Sequence, residues 1–65
     1  MSKYRVKIEL PDGYYSHYTY FNESSDDDAH SKCYDLADKG WYKLYKRTAN
    51  NGMKGYHWER KEIPK

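Results

Sequence analysis

The sequence predicts a small α+β protein of order ββαββ, an antiparallel sheet of two hairpins with one helix packed on one face. Three observations predict this class. Residues 3–10 and the region after residue 41 alternate apolar and polar side chains, as half-buried strands do. Ser and Asp residues at 24–28 open a segment with helical spacing. Turn residues stand between the alternating segments, and the 65 residues suffice for a single domain.

The first hairpin begins with the alternation KYRVKIEL, which places Tyr4, Val6, Ile8 and Leu10 on one face. The sequence 11–13 is Pro-Asp-Gly, which predicts a three-residue turn with a glycine bulge. This turn would pair Ile8 with Ser16, Val6 with Tyr18, and Tyr4 with Tyr20. The opposite face would then carry Lys3, Arg5, Lys7, Tyr15, His17, Thr19 and Phe21. A slip of one residue would exchange the two faces.

The helix is predicted from its start signals and its apolar stripe. A Ser at 24 or 25 can cap free N–H groups, and the Asp residues at 26–28 suit the positive end of the helix dipole. The stripe consists of Ala29, Cys33, Leu36 and Ala37. Lys39 and Gly40 are expected to end the helix, with the glycine in a left-handed cap.

The second hairpin is predicted from strands at 41–49 and 54–62 around the turn Asn50-Asn51-Gly52. The favoured register places Leu44 opposite Trp58 and Tyr42 opposite Arg60. The outer face of this hairpin would carry Trp41, Lys43, Tyr45, Arg47, His57, Glu59 and Lys61. Pro64 is expected to end the last strand because it has no N–H to donate.

Composition favours a binding protein over an enzyme. Twelve residues are aromatic, nine of them tyrosine, and residues 39–65 carry a local charge of +6 against −4 for residues 1–38. So short a chain has little room for a deep catalytic pocket. The single cysteine, Cys33, excludes an internal disulfide and favours a reduced compartment. Because neither a membrane span nor a signal peptide is recognised, we expect a cytoplasmic protein.

The residues that could carry metal or acid–base chemistry have simpler explanations. His30 and Cys33 are three residues apart on the predicted helix, but the ligand spacings of structural zinc sites are missing. Cys33 lies on the apolar stripe, where a buried thiol stays protonated and unreactive. The carboxylates at 26–28 stand where helix capping explains them. No catalytic residue, metal site or cofactor is therefore predicted.

Two resemblances bear on function. The segment Ala37, Asp38, Lys39, Gly40 and Trp41, with a closing strand over residues 58–61, resembles small bacterial and phage proteins whose helix is followed by a Gly-Trp strand motif. Residues 4–48, a hairpin leading into an acidic-capped helix, are similar to small early phage inhibitors of host RNA polymerase. Both resemblances imply a small phage protein without catalytic residues that blocks or redirects a host machine.

The predicted partner-binding surface is the outer sheet face, where cations alternate with flat rings. Its candidate residues are Arg5, Lys7, Tyr15, His17, Lys43, Tyr45, Arg47, His57 and Lys61. Rings and cations of this kind bind single-stranded nucleic acid by stacking and phosphate contact. They are also the residue types enriched at protein–protein hot spots. The plain alternative is a solvated face whose tyrosines serve strand pairing. The loop 50–55, with Met53 and Lys54, is a second candidate, against the simpler interpretation of a long turn.

The leading functional hypothesis is a non-enzymatic, phage-encoded inhibitor in the bacterial host cytoplasm. It would occlude a host nucleic-acid machine, such as RNA polymerase or a defence nuclease. The alternative is a protein that binds DNA or RNA directly through the basic aromatic face. A further alternative is a homo-oligomer that sequesters nucleotides at its interface. No membrane partner is expected.

Overall fold

The computed structural model describes residues 1–52 and 54–63, which form one sheet and one helix. The elements in chain order are β1 (Ser2–Ile8), β2 (Thr19–Glu23), α1 (Asp26–Leu36), β3 (Tyr42–Ala49) and β4 (Tyr56–Lys61). All strand pairs are antiparallel, and the strands lie in the order β2-β1-β3-β4. The predicted α+β class, with one helix and a four-stranded antiparallel sheet, is confirmed. Pro64, expected to end the last strand, lies outside the described residues.

The first hairpin follows the predicted register near its turn and departs from it further along. Gly13 adopts φ 88°, and the Ser16 N–H donates to the Ile8 carbonyl, as the Pro-Asp-Gly turn requires. Val6, however, pairs with Thr19 rather than Tyr18. On β1, one residue (Lys7) lies between Val6 and Ile8. On the returning strand, two residues lie between their partners Ser16 and Thr19. This extra residue is a bulge, and it moves the β2 side chains to the opposite faces.

The Ser16 side chain supports the bulge. Its Oγ accepts the Ile8 N–H at 3.0 Å and donates to the His17 carbonyl at 3.0 Å. The hydroxyl thereby gives the Ile8 N–H a hydrogen-bond acceptor at the point where the regular strand ladder is interrupted. The predicted pairs of Val6 with Tyr18 and Tyr4 with Tyr20 are wrong for this reason. Tyr4 pairs with Phe21 instead.

The second hairpin has a longer loop than predicted. Leu44 pairs with Lys61 and Arg47 with Trp58, so the expected pairing of Leu44 with Trp58 is wrong. The Asn50 N–H donates to the Gly55 carbonyl at 3.2 Å, which places the connection at 50–55. The register of β4 is thus shifted by three positions from the expected one. Because three is an odd number, every β4 side chain lies on the face opposite to the one expected.

The core lies between α1 and one face of the sheet. It consists of Tyr4, Val6, Phe21, Ala29, Cys33, Tyr42 and Leu44. Aromatic rings supply much of its volume, since large aliphatic residues are few in this chain. The buried hydroxyls have partners: Tyr4 donates to Asp26 Oδ1 at 2.6 Å, and Tyr42 lies 2.8 Å from His30 Nδ1. Phe21, expected on the outer face, packs in this core because of the bulge.

The helix begins as predicted and ends differently. The Ser25 side chain accepts the Asp28 N–H, and the Asp residues at 26–28 form the first turn. At the other end, Asp38 and Lys39 adopt positive φ angles of 50° and 65°, whereas Gly40 does not. The Lys39 N–H donates to the Tyr34 carbonyl and the Asp38 N–H to the Asp35 carbonyl, which together form a Schellman motif. Space favours glycine at position 40, because a Cβ there would lie 3.0 Å from the Ala37 carbonyl oxygen.

No helix in the described part of the chain is both long enough and apolar enough to cross a membrane.

A basic aromatic sheet face as the candidate site

One face of the sheet packs on the helix and the other, which we call the open face, does not. Strand register assigns the open face, because residues paired across strands share a side of the sheet. Tyr15 joins this face through its contacts with Lys7 and Lys43, and Tyr18 through its contact with Arg5. The aromatic and basic residues assigned to the open face are Lys3, Arg5, Lys7, Tyr15, Tyr18, Tyr20, Lys43, Tyr45, Arg47, Tyr56, Trp58 and Arg60.

Arg5 lies at the centre of the open face and is surrounded by rings. Its guanidinium carbon lies 4.2 Å from the ring centre of Tyr18, 4.3 Å from that of Trp58 and 5.5 Å from that of Tyr45. Tyr18 also meets Tyr45 edge to face at 5.8 Å. Cation–π attraction and ring packing thus hold together side chains from β1, β3, β4 and the segment that precedes β2. The Arg5 Nε is buried and has no hydrogen-bond partner among the described residues.

The other cations of the open face repeat this pairing with rings. Lys43 lies 4.5 Å and Lys7 5.6 Å from the ring centre of Tyr15. Arg47 lies 4.4 Å from that of Tyr56, and Lys3 lies 5.7 Å from that of Tyr20. The open face therefore alternates positive groups with rings along and across the strands.

The carboxylates lie mostly on the helix side. Asp26 forms ion pairs with Lys46 and Lys61, whose side chains point toward the helix. In the residues that the structure describes, Lys3, Arg5, Lys7, Lys43 and Arg47 form no ion pair; of the open-face cations only Arg60 does, with Glu62 at 4.0 Å. Lys7 and Lys43 are even directly opposite each other on neighbouring strands. Like charges at such positions destabilise a sheet, so this face retains positive charge at some cost in stability.

The rings of the open face differ in how much surface they leave free. Tyr18, Tyr45 and Trp58 are half-buried around Arg5. Tyr20 and Tyr56 are exposed, at 54% and 63%, and they lie on the two outermost strands. The Tyr20 ring meets Trp58 edge to face at 5.9 Å, so it lies against the packed centre and is still more than half exposed.

The structure places most predicted site residues together on the open face. Arg5, Lys7, Tyr15, Lys43, Tyr45 and Arg47 lie there, although their predicted role in binding a partner stays a prediction. His57 and Lys61 lie on the other face, because the longer loop shifted β4. His57 contacts Asn50 at 2.7 Å, and Lys61 contacts Asp26 at 3.3 Å. His17 is exposed beside the bulge, and no ring stacking or cation–π contact in the described chain ties it to the open face.

Sequence reasoning missed Tyr18, Tyr20, Tyr56, Trp58 and Arg60 as members of the open face. All five were placed on the wrong side by the two register errors. Two features of the sequence pointed to the first register error. One was the possible slip by one residue, and the other was Ser16, because a serine hydroxyl often replaces a backbone hydrogen bond where a strand is irregular. Trp41, expected on the outer face, lines a cleft with Tyr34 and Ile63 beside the helix end.

The buried titratable groups on the helix side serve packing. Burial raises the pKa of the Cys33 thiol to about 12, so it remains protonated at neutral pH. Burial lowers the pKa of His30, so its neutral form is favoured beside Tyr42. No group of three or more His, Cys, Asp or Glu side chains within residues 1–52 and 54–63 is placed to hold a metal ion. Met53 of the candidate loop 50–55 lies outside the described residues.

Comparison with known proteins adds no relative: no family model, no curated protein and no solved structure matches this chain.

Proposed function

We propose that this protein is a non-enzymatic binding protein that holds nucleic acid directly on its open face. The observation that supports this most strongly is a sheet face on which cations without an ion pair are interleaved with rings, and which no helix covers within residues 1–52 and 54–63. Nucleic acid offers phosphates for such cations and aromatic bases for such rings. Because carboxylates are concentrated on the helix side, the field of the molecule would orient an anionic partner toward the open face.

The pair Lys7 and Lys43 supports an anionic partner in particular. Their ammonium groups lie near the same ring, that of Tyr15, on adjacent positions of neighbouring strands. A bound phosphate between them would remove their mutual repulsion. Binding sites commonly contain residues that lower the stability of the free protein, because those residues are chosen for function.

The test is a fluorescence anisotropy titration with a labelled oligothymidylate of about 12 nucleotides at several salt concentrations. We expect binding that weakens as salt increases, because neutralised phosphates release counterions. The double variant Lys7→Gln/Lys43→Gln should weaken binding and reduce the slope of log K against log salt by roughly 1.4. It should also unfold at the same urea concentration as the wild type or a slightly higher one.

The matched control is Lys32→Gln/Lys39→Gln, which removes the same charge from the helix and the residues that follow it. This variant should bind nearly as the wild type does. Equal loss in both double variants would show that net charge alone drives binding and would contradict a site on the open face. No binding at low salt by the wild type would contradict the proposed function outright.

A second candidate is the phage-encoded inhibitor that occludes a host nucleic-acid machine. The arrangement of Arg5 with Tyr18 and Trp58 favours it, because preorganised Arg and aromatic side chains are typical protein–protein hot spots. Charge restricts which surface of the host protein such an inhibitor could bind. A positive open face complements an acidic patch and would be repelled by a basic nucleic-acid channel.

Affinity capture from bacterial lysate, with and without nuclease treatment, distinguishes the two candidates. A stoichiometric protein complex that survives nuclease and moderate salt would favour the inhibitor. Partners that disappear after nuclease treatment would favour direct nucleic-acid binding.

A further inference from the structure

From the uneven exposure of the rings we infer that the open face selects single-stranded nucleic acid, with Tyr20 and Tyr56 as its two base-stacking side chains. This inference rests on the proposed function and specifies its ligand. It depends on which rings are still free to stack, whereas the proposed function depends on the cations.

The central rings are already occupied. Tyr18, Tyr45 and Trp58 pack around the Arg5 guanidinium and are half-buried. A base could stack on them only after displacing these contacts. Tyr20 meets Trp58 edge to face at 5.9 Å, but it and Tyr56 are both more than half exposed.

Each exposed ring has a cation beside it. Lys3 lies 5.7 Å from the centre of the Tyr20 ring, and Arg47 lies 4.4 Å from the centre of the Tyr56 ring. A nucleotide whose base stacks on the exposed side of either ring would therefore have a positive group nearby for its phosphate. This combination of ring and cation is the arrangement that binds single strands with little dependence on sequence.

The two stacking side chains start from backbone positions that lie far apart in the sheet. Tyr20 and Tyr56 lie on β2 and β4, which are separated by three strand spacings of about 4.8 Å, or about 14 Å. Register also offsets them by four residues along the strands, or about 13 Å. The backbone positions are thus roughly 19 Å apart. A strand that contacts both rings would also pass the cations at the centre of the face, among them Arg5.

A duplex cannot use these rings, because its bases are stacked on one another and paired inside the helix. It can contact only the cations. The open face should therefore bind a single strand more tightly than a duplex. Its cations contact the phosphates of both, whereas its rings stack only on the unpaired bases of the single strand.

The experiment compares a labelled single-stranded oligothymidylate with a duplex of equal length, both of about 12 nucleotides. Tyr20→Leu and Tyr56→Leu should each weaken single-strand binding by about fivefold or more and leave duplex binding nearly unchanged. Tyr20→Phe and Tyr56→Phe keep the ring and should bind as the wild type does. Tyr34→Leu, at an exposed ring on the helix, is the matched control and should have no effect. Urea unfolding confirms that each variant is folded.

The outcomes separate this inference from the proposed function. Leucine variants that bind the single strand as tightly as the wild type would overturn the stacking role, and so would equal weakening toward both probes. If Lys7→Gln/Lys43→Gln still weakens binding in that case, the proposed function stands and only the preference for single strands falls. Absence of binding to either probe would overturn both.

Discussion

The two faces of the sheet use the same residue type in different ways. Tyr4 and Tyr42, on the helix face, are buried in the core, and their hydroxyls bond to Asp26 and His30. Tyr45, the neighbour of Leu44 on β3, lies on the open face and packs against Arg5. On one face the rings fill space between two layers; on the other they cover cations at the boundary with solvent. What a tyrosine contributes here depends on what lies opposite its ring.

The most severe test of this comparison uses neighbouring residues of β3. Leu44 is fully buried, and Leu44→Ala should lower the free energy of unfolding by about 2–5 kcal/mol, because it removes core contacts and leaves a cavity. Tyr45→Leu, one position later on the open face, should cost about 1 kcal/mol or less. Urea unfolding monitored by circular dichroism measures both. Equal losses would mean that the open face is as much a core as the helix face.

Acid should affect the helix face through His30, with a smaller effect on stability. Burial lowers the pKa of His30 in the folded protein below its ordinary value of 6.5, so the unfolded chain binds more protons at mildly acidic pH. Stability should therefore be complete above pH 6.5 and fall as pH decreases below it. Urea unfolding between pH 8 and pH 5 should show this decline.

The matched variants for this prediction are His30→Gln and His17→Gln. The glutamine at position 30 does not titrate, so the decline between pH 8 and pH 5 should disappear. The exposed His17 variant should keep it. Asp26, whose pKa is lowered by the hydrogen bond from Tyr4 and by Lys61, acts in a different window, because its contribution is lost only as pH falls below 3.8.

The smallest effect on stability is expected at the centre of the open face. Arg5→Met removes the cation–π contacts but also the buried Nε that has no partner, and the two changes oppose each other. We expect the free energy of unfolding to change by about 1 kcal/mol or less, while binding to the oligothymidylate weakens. A large loss of stability would show that Arg5 organises the fold itself. Unchanged binding would remove Arg5 from the ligand path.

Local signals in the sequence predicted those parts of the fold that depend on short-range interactions. The alternation in β1, the Pro-Asp-Gly turn and the Ser25 cap each involve residues a few positions apart, and each appears in the structure. The helix end was predicted less well: the left-handed residues are Asp38 and Lys39, because the Schellman bonds to Asp35 and Tyr34 impose that conformation. Gly40 is instead favoured by the close approach of the Ala37 carbonyl oxygen.

The sequence by itself determined that large aliphatic residues are too few to form the core without aromatic rings. It also determined that aromatic and basic residues alternate along the strands. The tertiary structure alone decided which rings face the helix. The first hairpin has an extra residue opposite Lys7, and the second has a loop three positions longer than expected. Each change moves the side chains of one strand to the other face of the sheet, because side chains alternate with a period of two. They bring Tyr20, Tyr56 and Trp58 to the open face and move Phe21 and Lys61 away. Such parity depends on how the two strands of each hairpin pair, and the alternation within a single strand does not encode it.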